Sequence, residues 1–452
     1  MTASTLPSSS QAPEQIPLPK GPQLITTLGP GLVLAMSFLG VGDLTSSSTS
    51  GANYGYALIW TLVLSLLART FIVSTIAKYA LMNRHGHTQI LEGFASVAKW
   101  LPAVMTVVVL VAGFVTQAGF LKACAIGLYN MFGGSFGGEW GQFAMAIIVV
   151  GASIGMISQK KQFTILEYIA RIASVLIIVT YIFAIFKIGT FDVAGFFRGM
   201  LFEMPKDQVG TFAPIIVAAA TIGTIAGNMP NLLYPGFMKD KGWTGPKYRK
   251  LQQLDLIAGM GPLLIINLLF WIVAAEYARA HEFVITSEQD LATLMNTIVG
   301  PVGPFLLWMS LFLAAFTSFP AMTRGFAQLA ISGIHLSTKS GAKWAGRDEE
   351  DPLFKWLQIG LFTALPIVAA LPKAPNLIAL GIAGTALSTL LALPAIVVVM
   401  FILTSSKKHM HDYAVNKPWE TVVLGILSVI SIGVGIQIAI NLPQMIVSAF
   451  GG

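Results

Sequence analysis

Long apolar runs, separated by short polar segments, follow one another along almost the whole chain. A helix needs about 20 predominantly apolar residues to cross the hydrocarbon core of a bilayer. The pattern therefore predicts an all-α polytopic membrane protein, in which a disordered tail (1–22) precedes a transmembrane domain (23–452). Its eleven predicted transmembrane helices cover residues 25–53, 55–82, 98–133, 139–157, 163–189, 211–238, 253–277, 303–335, 353–371, 376–403 and 419–441.

Composition and charge agree with a multi-pass protein of the cell membrane. Hydrophobic residues make up 55% of the chain and charged residues 10%, against about 25% charged residues in ordinary globular proteins. Lys and Arg are concentrated in the connections after the second, fourth, sixth, eighth and tenth predicted spans, which predicts a cytoplasmic N-terminus and an extracytoplasmic C-terminus. No connection combines enough basic and aromatic residues to form a nucleic-acid-binding face.

Asp43 lies near the middle of the first apolar run, beside two glycines. Gly40 and Gly42 favour an unwound turn, which would leave backbone carbonyl groups without helical partners. Such groups are tolerated at membrane depth only where they are buried in protein or line a wet cavity. A carboxylate at the same depth indicates a functional site that holds a cation.

The sixth predicted span contains a second break. Pro230 lacks a backbone N–H and clashes with the preceding turn, and Gly227 lowers the cost of unwinding. Paired breaks in two five-helix halves indicate the inverted repeat of a transporter, with its substrate site near the bilayer midplane. The predicted repeats cover about 25–190 and 211–403, and an extra helix covers 419–441.

The residues around both breaks resemble those of the Nramp (natural resistance-associated macrophage protein) family of divalent metal transporters. The first span has Gly-Pro-Gly at 29–31, Gly-Val-Gly-Asp at 40–43 and Gly-Ala-Asn-Tyr-Gly-Tyr at 51–56. The family has Gly-Pro-Gly, Asp-Pro-Gly-Asn and Gly-Ala-x-Tyr-Gly-Tyr at the same intervals. Met-Pro-Asn-Leu-Leu-Tyr at 229–234 is similar to the family's Met-Pro-His-Asn-Leu-Tyr. The resemblance implies a LeuT-like 5+5 inverted repeat and alternating-access transport of a divalent metal cation.

Several positions depart from the family pattern. In ungapped register, Gly40 replaces the family's first-helix aspartate, and Asp43 replaces its asparagine. Asn231 stands where the family has histidine, and Gln117 and Phe120 correspond to the acidic residues of its proton route. These departures identify a divergent branch and predict metal flux without stoichiometric proton movement.

The resemblance and the residues at the breaks together predict the metal site. Asp43 would supply the formal charge, and backbone carbonyl groups would complete the shell. Oxygen ligands suit Mg²⁺, Ca²⁺ or Mn²⁺ better than Zn²⁺ or copper, whereas the thioether of Met229, if it is a ligand and not core, favours Mn²⁺ or Fe²⁺. The predicted binding residues are Asp43, Gly40, Val41, Ala226, Gly227, Asn228, Met229 and Asn231.

Four residues are candidates for the access path or for coupling: Ser46, Ser47, Gln117 and Lys122. The two serines either line the path or bond back to carbonyl groups one turn earlier. An ammonium group of Lys122 paired with Asp43 would suit a neutral or anionic solute. If the ammonium group instead extends to the outer surface or contacts carbonyl groups, the cation site keeps its charge.

The remaining charged residues have structural interpretations. Arg69, Arg171 and Arg324 are predicted near helix ends or in helix contacts, and Glu167 in an ion pair at the inner face. The charged residues 347–351 are predicted to form a solvated linker, and all six histidines are predicted in loops.

No enzymatic motif is present: the sequence has no P-loop, no zinc-protease motif and no nucleophile with a histidine at membrane depth. No cofactor is expected apart from the divalent metal as transported substrate. Two alternatives stay open, namely a LeuT-fold symporter of an organic solute such as an amino acid, and a non-transporting membrane sensor or subunit. Metal uptake by liposomes that contain the protein distinguishes among them.

Overall fold

The computed structural model describes residues 16–18, 20, 28–29, 31, 41–159, 162–209, 213–226, 229–281, 283–338, 343–344 and 347–450. The predicted tail lies almost entirely outside these residues, as do Gly40, Gly227 and Asn228. Val41, Asp43 and Ala226 are described by their backbone only.

Helices make up most of the described part of the chain, and the principal ones follow the apolar runs. Four short helices, Ile90–Val97, Val193–Gly199, Tyr234–Asp240 and Glu288–Val299, lie between or beside them. The principal helices are α1 (Val41–Tyr54), α2 (Ile59–Met82), α3 (Leu101–Met131), α4 (Gly141–Ile157), α5 (Gln162–Ile188), α6 (Pro214–Ala226), α7 (Arg249–His281), α8 (Gly303–Ser337), α9 (Pro352–Ala370), α10 (Leu377–Thr404) and α11 (Pro418–Phe450).

Seven of these helices are long and apolar enough to cross a membrane, by the length and composition of their described residues: α2, α3, α5, α7, α8, α9 and α11. Their outward faces carry exposed apolar side chains, such as Val175 and Val179 on α5 and Val429 and Ile440 on α11. Exposed apolar rows of this kind suit contact with lipid. An all-α polytopic membrane protein is therefore confirmed, and the number of eleven spans stays a prediction.

The ninth helix has three kinds of helical turn. An α-helical turn at Pro352–Lys355 leads into a π-helix at Trp356–Ala364 and then a 3₁₀ segment at Leu365–Ala370. Pro366 explains the last change, because its missing N–H removes an α-helical hydrogen bond. π-Helical turns are rare and occur frequently at functional sites.

The packing places α1 at the centre of the bundle. α1 runs along α7 and also contacts α6 and α10, whereas α3 packs along α8, and α11 packs mainly against α10. α1 and α6 therefore lie beside each other inside the bundle.

Two predictions about charged groups need correction. The assignment of all six histidines to loops is wrong, because α7 and α8 extend beyond their apolar cores to include His281 and His335. The solvated linker at 347–351 is also wrong for Asp348, which is buried and lies 2.7 Å from His335 Nδ1. The other imidazole nitrogen contacts Asp351, and this hydrogen bond holds the pKa of the Asp351 carboxyl below its usual range.

Candidate functional site

The sixth helix is interrupted as predicted. α6 ends at Ala226, Met229–Leu233 form a 3₁₀ segment, and a short helix follows at Tyr234–Asp240. Pro230 lies within the 3₁₀ segment, where its lack of an N–H prevents a regular α-helix. Met229 and Asn231 are both buried, with 0% and 1% of their surface exposed, so the polar amide of Asn231 lies inside the bundle.

The first-helix break predicted around Gly40 and Gly42 lies only partly within the described residues, which omit 32–40. The chain is helical from Val41, so the unwinding predicted at Gly42 and Asp43 is wrong, and Asp43 lies in the first turn of α1. An inverted repeat with a site at its midplane also predicts that Asp43 faces the second break across a polar cavity. This stays a prediction, because only the backbone of Asp43 is described.

A stripe of hydroxyl groups follows Asp43 along α1. Side chains three, four and seven positions apart lie on one helix face, which places Ser46, Ser47 and Ser50 on the same face as position 43. Ser47 Oγ donates to Asn267 Oδ1 of α7 at 2.8 Å, and Ser50 Oγ lies 3.5 Å from Thr221 Oγ1 of α6. The stripe thus faces α6 and α7, and the alternative of back-bonding is wrong for Ser47.

Two hydroxyl groups in the same segment are buried, and neither is satisfied by the part of the chain that the structure describes. Ser46 Oγ and Thr49 Oγ1 have no hydrogen-bond partner among the described residues. Buried polar atoms are nearly always satisfied by protein, water or an ion. These hydroxyl groups can therefore bind water or a hydrated solute beside the break.

Arg69 makes a contact between helices, which is one of its two predicted placements. It lies in the middle of α2 rather than near an end, and its side chain is fully buried. Its Nε donates to Asn231 Oδ1 at 3.2 Å, which holds the guanidinium against the 3₁₀ segment of the sixth helix. A charged residue within an apolar run was the available signal, since charged groups at membrane depth usually mark functional sites.

Gln117 joins three helices through its amide group. Its Nε2 lies 2.6 Å from Thr323 Oγ1, 3.0 Å from the Phe319 carbonyl oxygen and 2.8 Å from the Phe362 carbonyl oxygen. Two of these acceptors belong to α8, and Phe362 belongs to the π-helix of α9. The amide is uncharged and held in place, so this position offers no group that exchanges protons near neutral pH.

Lys122 contacts backbone carbonyl groups. Its ammonium group donates to the carbonyl oxygens of Ala374 and Pro375, which lie between α9 and α10. This outcome agrees with the alternative in which Lys122 leaves the cation site unchanged.

We expect Lys122→Met to lower stability while leaving the substrate affinity within about threefold of wild type. The ammonium group donates hydrogen bonds to two carbonyl oxygens. The loss of each hydrogen bond from this charged donor costs about 1.5–3 kcal/mol of stability. Thermal unfolding in detergent and the concentration dependence of uptake measure the two effects. Lys373→Met, at an exposed lysine of the same connection, is the control and should change neither.

A carboxylate on α7 ties the start of the first helix to the bundle. The two oxygens of Asp255 accept hydrogen bonds from the backbone N–H groups of Gly29 and Gly31, at 2.7 and 2.6 Å. Tyr234 of the sixth helix donates its hydroxyl to the same carboxylate at 2.9 Å. We call these four residues the Asp255 latch. Its contacts to the first helix could not be predicted, because Gly29 and Gly31 lie more than 220 positions from Asp255.

The predicted ion pair of Glu167 is confirmed beside this latch. Its carboxylate contacts Lys241 Nζ at 3.0 Å and the guanidinium of Arg171, which also donates to the Leu28 carbonyl oxygen. The Asp255 latch and the Glu167 ion pair therefore hold the same short segment from both sides.

A cavity of about 450 Å³ adjoins the second break at this end of the bundle. Leu232 and Leu233 of the 3₁₀ segment line it, together with residues of α5, α8 and the 347–350 segment. Asp240 and Arg324 face each other at 3.8 Å in its wall, and burial raises the pKa of the Asp240 carboxyl while Arg324 opposes the rise. The cavity therefore lies beside the second break and is lined by both apolar and charged side chains.

Comparisons with known proteins point to one family. The family model described as natural resistance-associated macrophage protein-like (Nramp) matches residues 31–441. The divalent metal cation transporter MntH of Bacillus subtilis is 23% identical over 433 residues, which cover 92% of each chain. The natural resistance-associated macrophage protein 2 homolog of Dictyostelium discoideum is 21% identical over 92% of this chain and 63% of its own length.

Two solved structures share the fold at low sequence identity. The manganese transporter of Eremococcus coleocola, in complex with an aromatic bis-isothiourea compound, superposes with a TM-score of 0.71 at 16% identity and 98% coverage of both chains. MhsT in complex with L-phenylalanine gives a TM-score of 0.57 at 13% identity, over 91% of this chain and 98% of its own. The chain therefore has a LeuT-like fold.

Proposed function

Because the chain belongs to the Nramp family, we propose that it carries a divalent metal cation across a membrane by alternating access, down the electrochemical gradient of the metal. The proposal rests chiefly on the hydroxyl stripe of α1, which begins at Asp43 and faces the interrupted sixth helix. Asp43 supplies the negative charge, and carbonyl and hydroxyl oxygens supply neutral ligands. The names of the Bacillus subtilis and Eremococcus coleocola relatives support a metal substrate.

The proposed architecture has eleven spans, a 5+5 inverted repeat with breaks in the first and sixth helices, and a cytoplasmic N-terminus. The 3₁₀ segment at Met229–Leu233 supports the second break, and the sequence position of Gly40, immediately before the helix that is described from Val41, supports the first. The substrate site lies between the breaks, where Gly40, Val41, Ala226 and Gly227 contribute carbonyl groups, and Asn228, Met229 and Asn231 are further candidates.

The proposed metal is a hard cation of the Mg²⁺, Mn²⁺ or Fe²⁺ class. Carboxylate, hydroxyl and carbonyl oxygens prefer such ions, and Mg²⁺ in particular keeps several water molecules. The unpartnered hydroxyl groups of Ser46 and Thr49 suit a partly hydrated ion. The buried thioether of Met229 would shift the preference toward Mn²⁺ or Fe²⁺ if it contacts the metal.

Uptake into proteoliposomes tests the proposal. Purified protein is reconstituted, and the entry of Mg²⁺, Mn²⁺ and Ca²⁺ is measured with dyes enclosed in the vesicles, beside radiolabelled amino acids. Protein-dependent, saturable entry of at least one divalent cation is expected. Entry of an amino acid without any divalent cation would contradict the proposal, and absence of all fluxes would favour a sensor or subunit.

We expect this metal flux to proceed without stoichiometric proton movement. Gln117 corresponds to an acidic residue of the family's proton route. Its amide is held by hydrogen bonds and neither takes up nor releases a proton near neutral pH. A pH-sensitive dye inside metal-fed vesicles should report no acidification beyond that of protein-free vesicles. Acidification that requires both the metal and the protein would refute this expectation.

One observation favours a second candidate, the symport of an organic solute. A guanidinium group matches the geometry of a carboxylate, and Arg69 holds one against the interrupted sixth helix. A substrate such as an amino acid would then bind through its carboxylate. The amino acid arm of the uptake assay decides between the two candidates.

A further inference from the structure

The connection between α5 and α6 carries a group of exposed apolar side chains. Phe191, Val193, Phe197, Leu201 and Phe202 each expose between 44% and 75% of their surface. We call these five residues the apolar connection face. A connection that lies in water usually presents polar residues, whereas an exposed apolar patch marks a contact with a protein or a membrane.

The short helix Val193–Gly199 directs part of this face to one side. Val193 and Phe197 lie four positions apart, which places them on the same helix face. Leu201 follows in the turn that continues from the helix, where its N–H donates to the Arg198 carbonyl oxygen. A helix with one exposed apolar face and basic residues beside it is typical of segments that lie in the plane of a membrane surface.

The opposite side of the same helix is packed against the protein. The ring of Phe196 lies 5.7 Å from that of Tyr56, in an edge-on arrangement. Gly199 is buried against the Tyr56 carbonyl group, so closely that a Cβ atom at this position would overlap it. Trp60 of α2 donates its indole N–H to the Glu203 carbonyl oxygen at 2.9 Å. The connection is thus held on the protein by its inner side, and its apolar face is directed away from the bundle.

The neighbouring helix indicates that the bilayer covers this face. α5 exposes Val175, Val179 and Phe186 to the outside of the bundle, and Phe186 lies in its last turn. The 27 residues of α5 span about 40 Å, which exceeds the hydrocarbon thickness of about 30 Å, so its end reaches the membrane surface. The apolar connection face begins five residues after Phe186 and continues the apolar side of α5. Lys187 and Arg198 are exposed beside it, where cationic side chains can extend toward phosphate groups.

We propose that the apolar connection face inserts into the bilayer surface at which α5 ends, with phospholipid headgroups and the upper acyl chains as its partner. The connection then acts as an anchor, because its inner side holds Tyr56 directly after α1 at the level of the membrane surface. This inference is independent of the transported substrate, since it uses only the fold of a multi-pass membrane protein.

Spin labels measure the depth of this face directly. Cys124, the single cysteine of the chain, is fully buried, so a cysteine introduced at the surface can be labelled selectively. Phe197→Cys and Leu201→Cys are labelled with a nitroxide in nanodiscs of phosphatidylcholine and phosphatidylglycerol, and the unsubstituted protein measures any background. Power saturation then compares collisions with oxygen, which is enriched in lipid, and with a water-soluble nickel chelate. We expect both labels to favour oxygen, at a depth of about 5–10 Å below the headgroup boundary.

Two matched positions calibrate the measurement. Lys206→Cys, at an exposed lysine of the same connection, should favour the nickel chelate, and Val179→Cys on α5 should favour oxygen. Labels at Phe197 and Leu201 that favour the nickel chelate as Lys206 does would overturn the inference. Dipolar broadening at either position that disappears on dilution with unlabelled protein would assign the face to a second copy of the chain and also overturn it. If one of the two variants does not fold, Phe202→Cys takes its place with the same expected result.

Discussion

Asp43→Asn should reduce metal uptake to a few per cent of the wild-type rate or less. The substitution removes the formal negative charge of the proposed site while preserving the size of the side chain, so a divalent ion loses its main electrostatic partner. Loss of a charged ligand in a buried site commonly costs several kcal/mol, and each 1.4 kcal/mol is a factor of ten in affinity. Initial uptake rates over a range of metal concentrations measure the loss.

The matched control is Asp412→Asn, which changes the same type of residue in an exposed connection, where Asp412 pairs with Arg84. This variant should transport normally. Both variants should elute as monodisperse protein and insert with normal yield. Uptake by Asp43→Asn near the wild-type level would remove Asp43 from the site and require a different charge centre.

Asp255→Asn should loosen the start of the first helix and slow transport by about tenfold or more. The carboxylate accepts two backbone N–H groups and the Tyr234 hydroxyl, and hydrogen bonds to a charged acceptor contribute about 1.5–3 kcal/mol each. An amide at this position has one oxygen and turns a donor toward one of the N–H groups. Hydrogen exchange of the peptide that contains Gly29 and Gly31 should accelerate by at least tenfold.

Asp290→Asn provides the comparison for the Asp255 latch. Asp290 also accepts backbone N–H groups, from Thr286 and Ser287 before a short helix elsewhere in the chain. Its replacement should accelerate exchange only around 286–290. Unchanged exchange at 28–31 in Asp255→Asn, with full transport, would show that the Asp255 latch does not hold the first helix during the cycle.

The positions of the helices could be predicted from the sequence because the thickness of the hydrocarbon core sets the length of a span. A span needs about 20 apolar residues, and a helix satisfies their backbone hydrogen bonds internally. Apolar runs of this length are visible without any structure. The break at Pro230 was visible for a similar reason, since a proline acts locally on its own helix. The ends of α7 and α8 were missed because polar residues such as His281 and His335 continue a helix beyond the apolar run.

Contacts between distant parts of the chain could not be predicted. Asp255 binds Gly29 and Gly31, and Ser47 binds Asn267 across 220 positions. No periodicity connects such pairs. Arg69 is different, because its charge within an apolar run is visible in the sequence, and the predicted contact between helices is present. Its position in the middle of α2 differs from the predicted alternative near a helix end.

The π-helix of α9 explains why Gln117 makes so firm a junction. A π-helical turn holds one residue more than an α-helical turn, so its hydrogen-bond ladder is shifted and a carbonyl group can be released toward a neighbouring helix. Phe362 lies in this segment, and its carbonyl oxygen receives both Gln117 Nε2 and Thr323 Oγ1. α3, α8 and α9 are thus joined at one atom. In the proposed alternating-access cycle, we therefore expect these three helices to move as one body relative to α1 and the sixth helix.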